Sequence, residues 1–487
     1  MCFKKTMFAL GAFLLSCFVA GAYPLSCLAA PAVDYQAEAE SRKSLPIASN
    51  QIPGWPQGPS IGAEAAILMD ADSGAILYAK NIHEKLYPAS VTKILTTLIA
   101  VESCSLDEIV TFSHDAVFSI PVDSSKIAMD VGEELTVDQC LQAILIASAN
   151  EVANALAEHV AGSMDAFVDM MNEKAAEFGC VDSHFVTTNG LHDDGHYTSA
   201  YDLALIGRHF FANELLCKYA STSKLHIPPT DKQPDDIIAW SKNELYPGRK
   251  HAYEYLVASK TGYTDTARQT LVSCAQKDGM RLICVILKEE SPSQYTDTID
   301  LFNYGFGNFQ KYNVASSETR FNINNSGFFY SNNDIFGNSN PILFVDPEAS
   351  IILPKASVFT DATSEISYEN PEPGTAGTIQ YTYHGTYVGS AAIDLAQNTA
   401  VSYEFDGEMS EQTEETDTTG TEESVVYVNV KAILFWVLGI AAAVILLIIL
   451  YSLINSYQFR NRRRSLFRRF RKRKRRNKKG GGRSLRF

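Results

Sequence analysis

The sequence predicts an α+β fold: an antiparallel sheet flanked by helices, then a small all-β domain, then a C-terminal transmembrane helix. Three observations carry this expectation. Between residues 63 and 312, stretches of helical periodicity lie among short strand-like runs joined by hairpin turns. From Val314 to Phe405 helical periodicity disappears, and short runs alternate with Asn, Pro and Gly clusters. Ala432 to Leu453 then gives 22 residues without a charge; as a helix these would span about 33 Å, enough for a hydrocarbon core.

In chain order, residues 1–30 read as a secretory signal peptide, with Lys4 and Lys5 ahead of an apolar run and small residues ending Leu28-Ala29-Ala30. Residues 31–62 are mixed and contain Pro46, Pro53, Pro56 and Pro59, a leader or linker without structure of its own. Ala65 to Met69 and Ala75 to Ala79 flank the turn Asp70-Ala71-Asp72-Ser73-Gly74 as a hairpin. Val91, Ile94, Leu95 and Leu98 follow helical spacing just after Pro88, and Thr136 and Ser163 open further helices, the second stopping at Gly179. Leu271 to Ala275 and Arg281 to Leu287 form a hairpin about Asp278-Gly279, a register that sets Cys274 opposite residue 283 rather than Cys284. The β-rich domain is placed at 313–403. Residues 404–424 carry nine acids and no base, an extended linker that cannot bury enough apolar surface to fold.

Charge is unevenly divided. The formal net charge of −15 conceals 16 of the 41 Lys and Arg in residues 460–487 and two more, Lys4 and Lys5, in residues 1–30, so residues 31–459 carry −33. A nucleic-acid-binding body is thereby excluded. A basic tail just past an apolar span is expected on the cytoplasmic side, against anionic lipid, with the acidic body outside as a single-pass membrane protein. Six cysteines lie beyond the signal region, and spacing alone does not select their pairing.

The chemistry concentrates in three short motifs. Ser90 and Lys93, three apart on a helix, share a face; an amine kept neutral can take a serine proton, and a helix N-terminus favours developing negative charge. Ser148-Ala149-Asn150 sits between two apolar helical stretches, where a polar turn can project a hydroxyl and an amide into a cleft. Lys260-Thr261-Gly262 heads a strand and offers a cation, a hydroxyl and room for close backbone approach. Each motif alone is weak: Ser221-Thr222-Ser223-Lys224, Ser241-Lys242-Asn243 and Ser331-Asn332-Asn333 repeat the first two patterns.

In this order the motifs, with Tyr87 to Lys93, Thr188 to Ala200 and Lys260 to Asp265 around them, resemble the low-molecular-mass penicillin-binding proteins, the serine-type D-alanyl-D-alanine carboxypeptidase family. The resemblance implies a DD-peptidase/β-lactamase-like catalytic domain over residues 63–312. It implies Ser90 as nucleophile, Lys93 as its base and Ser148 as a proton relay. Asn150, Lys260, Thr261, Gly262 and Tyr263 would bind substrate, the backbone N–H groups of Ser90 and Tyr263 forming an oxyanion hole. The implied substrate is a peptidoglycan stem peptide ending in D-Ala-D-Ala, with β-lactams as inhibitors and no metal or cofactor. The chain departs from the family at Thr266-Ala267-Arg268-Gln269, where Ala-Gly is usual; Arg268 is a candidate substrate-binding charge. His192 and His196 are read as a turn near the cleft. A β-lactamase of the same fold and a catalytically idle wall-binding scaffold are the competing readings.

Overall fold

The computed structural model describes residues 33–320, 343–368 and 374–395. Among these residues, six helices have eight residues or more: α1 (Tyr35–Arg42), α2 (Lys93–Ser103), α3 (Asn150–Ala161), α4 (Met164–Glu177), α5 (Ala200–Ala212) and α6 (Ser293–Asn308). The first sheet contains β1 (Ala65–Asp70), β2 (Ile76–Lys80), β7 (Leu256–Thr264), β8 (Arg268–Lys277) and β9 (Met280–Glu289), in the order β2-β1-β9-β8-β7. All its pairings are antiparallel. Two ribbons, β3 (Ile109–Thr111) with β4 (Glu134–Thr136) and β5 (Lys224–Ile227) with β6 (Ile237–Trp240), stand apart from it.

Strand alternation explains why β1 and β9 are apolar almost throughout. Successive side chains point to opposite faces. Ile67, Ile283 and Val285 enter a core shared with α2, α3 and α5. Leu68, Leu282 and Ile286 enter a second core with α6 and the following sheet. That second sheet begins at Phe309. It comprises β10 (Phe309–Asn313), β11 (Leu343–Val345), β12 (Ser350–Pro354), β13 (Thr363–Ser367), β14 (Thr375–Tyr383) and β15 (Thr386–Leu395), ordered β10-β12-β15-β14-β13 with β11 on β15.

Local signals match the predicted elements. Thr136 forms a capping box with Gln139, and Ser163 caps α4, which ends before Gly179 at φ 80°. Asp278 and Gly279 take φ of 51° and 78°, a two-residue turn that sets Cys274 opposite Ile283. The six described cysteines are free thiols.

Two expectations are corrected. The segment expected to lack structure contains α1 and packs closely: Arg42, Trp55 and Ile61 are buried. Lys80 Nζ donates to the carbonyls of Arg42 and Ile61 at 2.9 and 2.7 Å, and Gly62 N–H donates to Asp297. A buried ammonium needs such acceptors, and the segment supplies them. The second correction concerns the membrane. Among the described residues no helix is long and apolar enough to cross one. The longest, α6, has 16 residues, about 24 Å, which falls short of a ~30 Å hydrocarbon core. The expected span 432–453 lies outside the described residues, as do the signal sequence 1–30, the acidic linker and the basic tail. The fold is accordingly α+β without a membrane-spanning helix among the described residues. The transmembrane and signal-peptide assignments, attachment through a C-terminal helix and basic tail, and the single-pass placement are withdrawn.

Candidate active site

Ser90 sits in a 3₁₀ turn, Ala89–Thr92, that leads directly into α2. Ala89 takes φ 52°, a left-handed conformation that alanine rarely adopts. Its surroundings hold it there. The Ala89 carbonyl accepts from Thr92 Oγ1 at 2.9 Å, and Thr92 Oγ1 lies 2.9 Å from His196 Nε2. His196 Nδ1 accepts from the N–H groups of Val186 and Thr187, so the ring carries its proton on Nε2. Burial pushes this imidazole down to about 4, keeping it neutral. Gly190, at φ 79°, lies against the Ala89 carbonyl, and any side chain there would collide with it. His192 stacks edge-on against Tyr87 and pairs with Asp194. Both histidines therefore belong to the loop that braces the Ser90 turn.

Lys93 is wholly buried, with Nζ 3.0 Å from Ser90 Oγ, 2.6 Å from Asn150 Oδ1 and 2.5 Å from the Asn189 carbonyl. Burial, and then the charge of Lys260, pushes its pKa well below the ordinary lysine value. A neutral amine has two N–H groups and one lone pair. The two acceptor-only neighbours take both N–H groups, and the lone pair is left for the Ser90 hydroxyl. This arrangement fits a proton acceptor.

Ser148 ends a short π-helical turn, Ala143–Ala147, at φ 60°, and α3 begins after the extended Ala149. The break projects its hydroxyl toward Lys260 Nζ, 3.0 Å away, while Asn150 starts α3 and reaches Lys93. Lys260 is buried on β7 and also donates to the Thr261 carbonyl at 2.8 Å. Desolvation, reinforced by Lys242, lowers it to about 7. Gly262 meets the Ser90 turn: a Cβ there would lie 2.9 Å from the Ser90 backbone nitrogen and would strike Thr270 Oγ1. Thr270 in turn donates to the Pro88 carbonyl, tying β8 to the same turn. The Tyr263 hydroxyl points back to Asp265 at 2.9 Å.

Arg268 has its charge engaged elsewhere. Its guanidinium forms a two-pronged pair with Glu290 at 2.8 and 2.7 Å and stacks over Tyr35 of α1 at 3.8 Å. It holds φ 55°, a conformation a glycine would adopt without strain.

Three contributors escaped the sequence reading. Asn189 offers its carbonyl to Lys93. Lys242 lines the cleft with Ser148, Asn243, Lys260 and Thr261. Glu151 uses one carboxylate oxygen to accept from the N–H groups of Ile127 and Ala128, fixing the loop beside the site. Lys242 lies within Ser241-Lys242-Asn243, whose Ser-x-Asn pattern looked like a chance repeat; only the fold brings it alongside the cleft.

The D-alanyl-D-alanine carboxypeptidase family, peptidase S11, matches residues 53–291. The chain is 33% identical over 260 residues to D-alanyl-D-alanine carboxypeptidase DacF of Bacillus subtilis, covering 51% of this chain and 63% of that protein. It is 30% identical over 282 residues to D-alanyl-D-alanine carboxypeptidase DacD of Salmonella typhimurium, covering 56% of this chain and 70% of that protein. The match thus spans less than two thirds of the Bacillus relative's length. Among solved structures, penicillin binding protein 5 from Haemophilus influenzae is similar with a TM-score of 0.56 at 26% identity, over 70% of this chain and 98% of that one. With Ser90, Lys93, Ser148, Asn150 and Lys260 gathered at one cleft, the chain belongs to the peptidase S11 family of low-molecular-mass penicillin-binding proteins and serine D-alanyl-D-alanine carboxypeptidases.

Proposed function

We propose that this protein is a serine-type D-alanyl-D-alanine carboxypeptidase that removes the terminal D-alanine from peptidoglycan stem pentapeptides and is acylated by penicillins at the same serine. The observation that carries this reading is the buried Lys93, whose amine has both N–H groups taken by acceptors and faces Ser90 Oγ at 3.0 Å. Ser90 Oγ bonds to the carbonyl carbon between the two D-alanines while its proton passes to Lys93 Nζ. Backbone N–H groups of Ser90 and Tyr263 hold the developing oxyanion. The C–N bond breaks, and the departing amine takes that proton from Lys93 by way of Ser148 Oγ, leaving Lys93 neutral again. Water then adds to the acyl carbon as its proton passes to Lys93, and Ser90 Oγ leaves with that proton. Protonated Lys260, with Thr261 and Lys242, holds the substrate's terminal carboxylate, and Asn150 orients the peptide. Residues 63–312 form the catalytic part in this scheme and 313–403 its β-rich companion.

The β-lactamase alternative needs a carboxylate to drive deacylation. Glu151, the buried acid next to Asn150, has one oxygen accepting from the Ile127 and Ala128 N–H groups and the other buried without a partner, so the two readings are separated by product. Release of D-alanine from a pentapeptide by the wild-type chain, absent in Ser90→Ala, is the expected result. Rapid penicillin turnover without D-alanine release would replace this reading with the β-lactamase one.

A further inference from the structure

The two helices that present the candidate catalytic groups meet again at their far ends. α2 carries Lys93 in its first turn and is capped at its C-terminus by Cys104. α3 begins at Asn150 and has His159 in its last turn. Between those ends lies Glu108, in the turn that enters β3. Its Oε2 is 3.0 Å from His159 Nε2, and its Oε1 accepts from the Ser105 N–H at 2.6 Å, which fixes the carboxylate plane. One ligand-type atom from each of Cys104, Glu108 and His159 lies within 4.8 Å of the other two. Among the described residues this is the one grouping of three metal-ligating side chains. The Cys104 thiol is half-buried and unpaired with another cysteine. A hydrogen-bonded His–Glu pair alone would account for two of these groups. It gives no reason for the thiol to join them.

We propose that Cys104, Glu108 and His159 form a zinc site that staples the distal ends of α2 and α3. A thiolate, an imidazole and one carboxylate suit a borderline cation that favours tetrahedral N/S/O ligands; a hard cation such as magnesium would require more oxygens. Glu108 and His159 are partly exposed, with side-chain exposures of 44% and 23%, so the fourth position opens to water. On binding, Cys104 loses its thiol proton to solvent, and His159 Nε2 gives up the proton it donates to Glu108, the neutral ring keeping its proton on Nδ1, so that the Nε2 lone pair meets the metal. α2 places the site about 16 Å from Lys93. The zinc therefore acts on the rigidity of the helix pair, and Ser90 chemistry does not pass through it. This trio forms no motif along the chain, because its members are separated by up to 55 positions.

The full chain, stripped with a chelator, is titrated with Zn2+ by calorimetry and with Co2+ by absorbance. The expected result is one ion per chain, a thiolate-to-cobalt charge-transfer band, and a rise in Tm of about 5 °C at saturating zinc. Cys104→Ser should abolish the band and weaken zinc at least ~10-fold, and His159→Gln should weaken zinc similarly. Both variants should keep wild-type labelling by penicillin, which separates this site from the proposed activity and reports that they are folded. No stoichiometric binding at micromolar zinc, or equal binding and an unchanged cobalt spectrum in Cys104→Ser, would overturn the proposal.

Discussion

Lys93 and Lys260 occupy one cleft, and the proposed mechanism gives them opposite tasks. In it Lys93 acts only when neutral, whereas Lys260 grips a carboxylate only when protonated. The ratio kcat/KM should therefore rise with pH as Lys93 loses its proton and fall as Lys260 loses its own. Lys242 helps to depress Lys260, so Lys242→Gln should move the falling limb to higher pH and leave the rising limb in place. An unmoved falling limb would remove Lys242 from the electrostatics of the site. Lys93→Ala, which deletes the proposed base, should slow penicillin acylation by about 10²–10⁴-fold. Single motif residues were legible because side-chain chemistry at fixed spacing is a local property. Lys242 was not, since its meaning depends on where β7 and the segment before it fold relative to Ser148.

The Ser90 turn is an element built against its own backbone preference, and its neighbours hold it in place. Gly190→Ala would drive a methyl group into the Ala89 carbonyl at a positive φ, so loss of both stability and acylation is expected in thermal melts and penicillin labelling. His196 links this loop to Thr92, and its folded pKa falls from 6.5 to about 4. The unfolded chain therefore binds the extra proton. The stability that His196 confers is fully present above pH ~6.5 and is lost as pH falls toward 4, about 3 kcal/mol in all. His196→Gln should flatten that part of the stability–pH curve, measured by denaturant unfolding between pH 4 and 7; a curve as steep as wild type would place the titration elsewhere. Hairpins, caps and the Asp278-Gly279 turn were readable in advance because turn chemistry is short-range. The packing of α1 and the residues up to Gly62 was not, because their role is to supply carbonyls to Lys80, a partner that only tertiary structure reveals.

At the scale of the molecule, Trp55 joins three parts. It lies 5.0 Å from the Phe309 ring and 6.0 Å from that of Tyr383, and its indole N–H donates to the Leu77 carbonyl on β2. Trp55→Ala should cost about 3–5 kcal/mol, read as a drop in Tm. Removing the half-exposed Lys311–Asp72 ion pair across the same boundary should cost under about 1 kcal/mol. The order of helices and strands was legible from periodicity, whereas the packing of Trp55 between the two sheets was not. The central claim is that Lys93, held neutral by burial, activates Ser90 for acyl transfer from a D-alanyl-D-alanine terminus. It is tested most directly by incubating the full chain and Ser90→Ala with a labelled penicillin and with a stem pentapeptide. The account predicts a stable adduct and free D-alanine from the wild type, and neither from the variant. Folded wild-type protein that yields neither adduct nor D-alanine would contradict it.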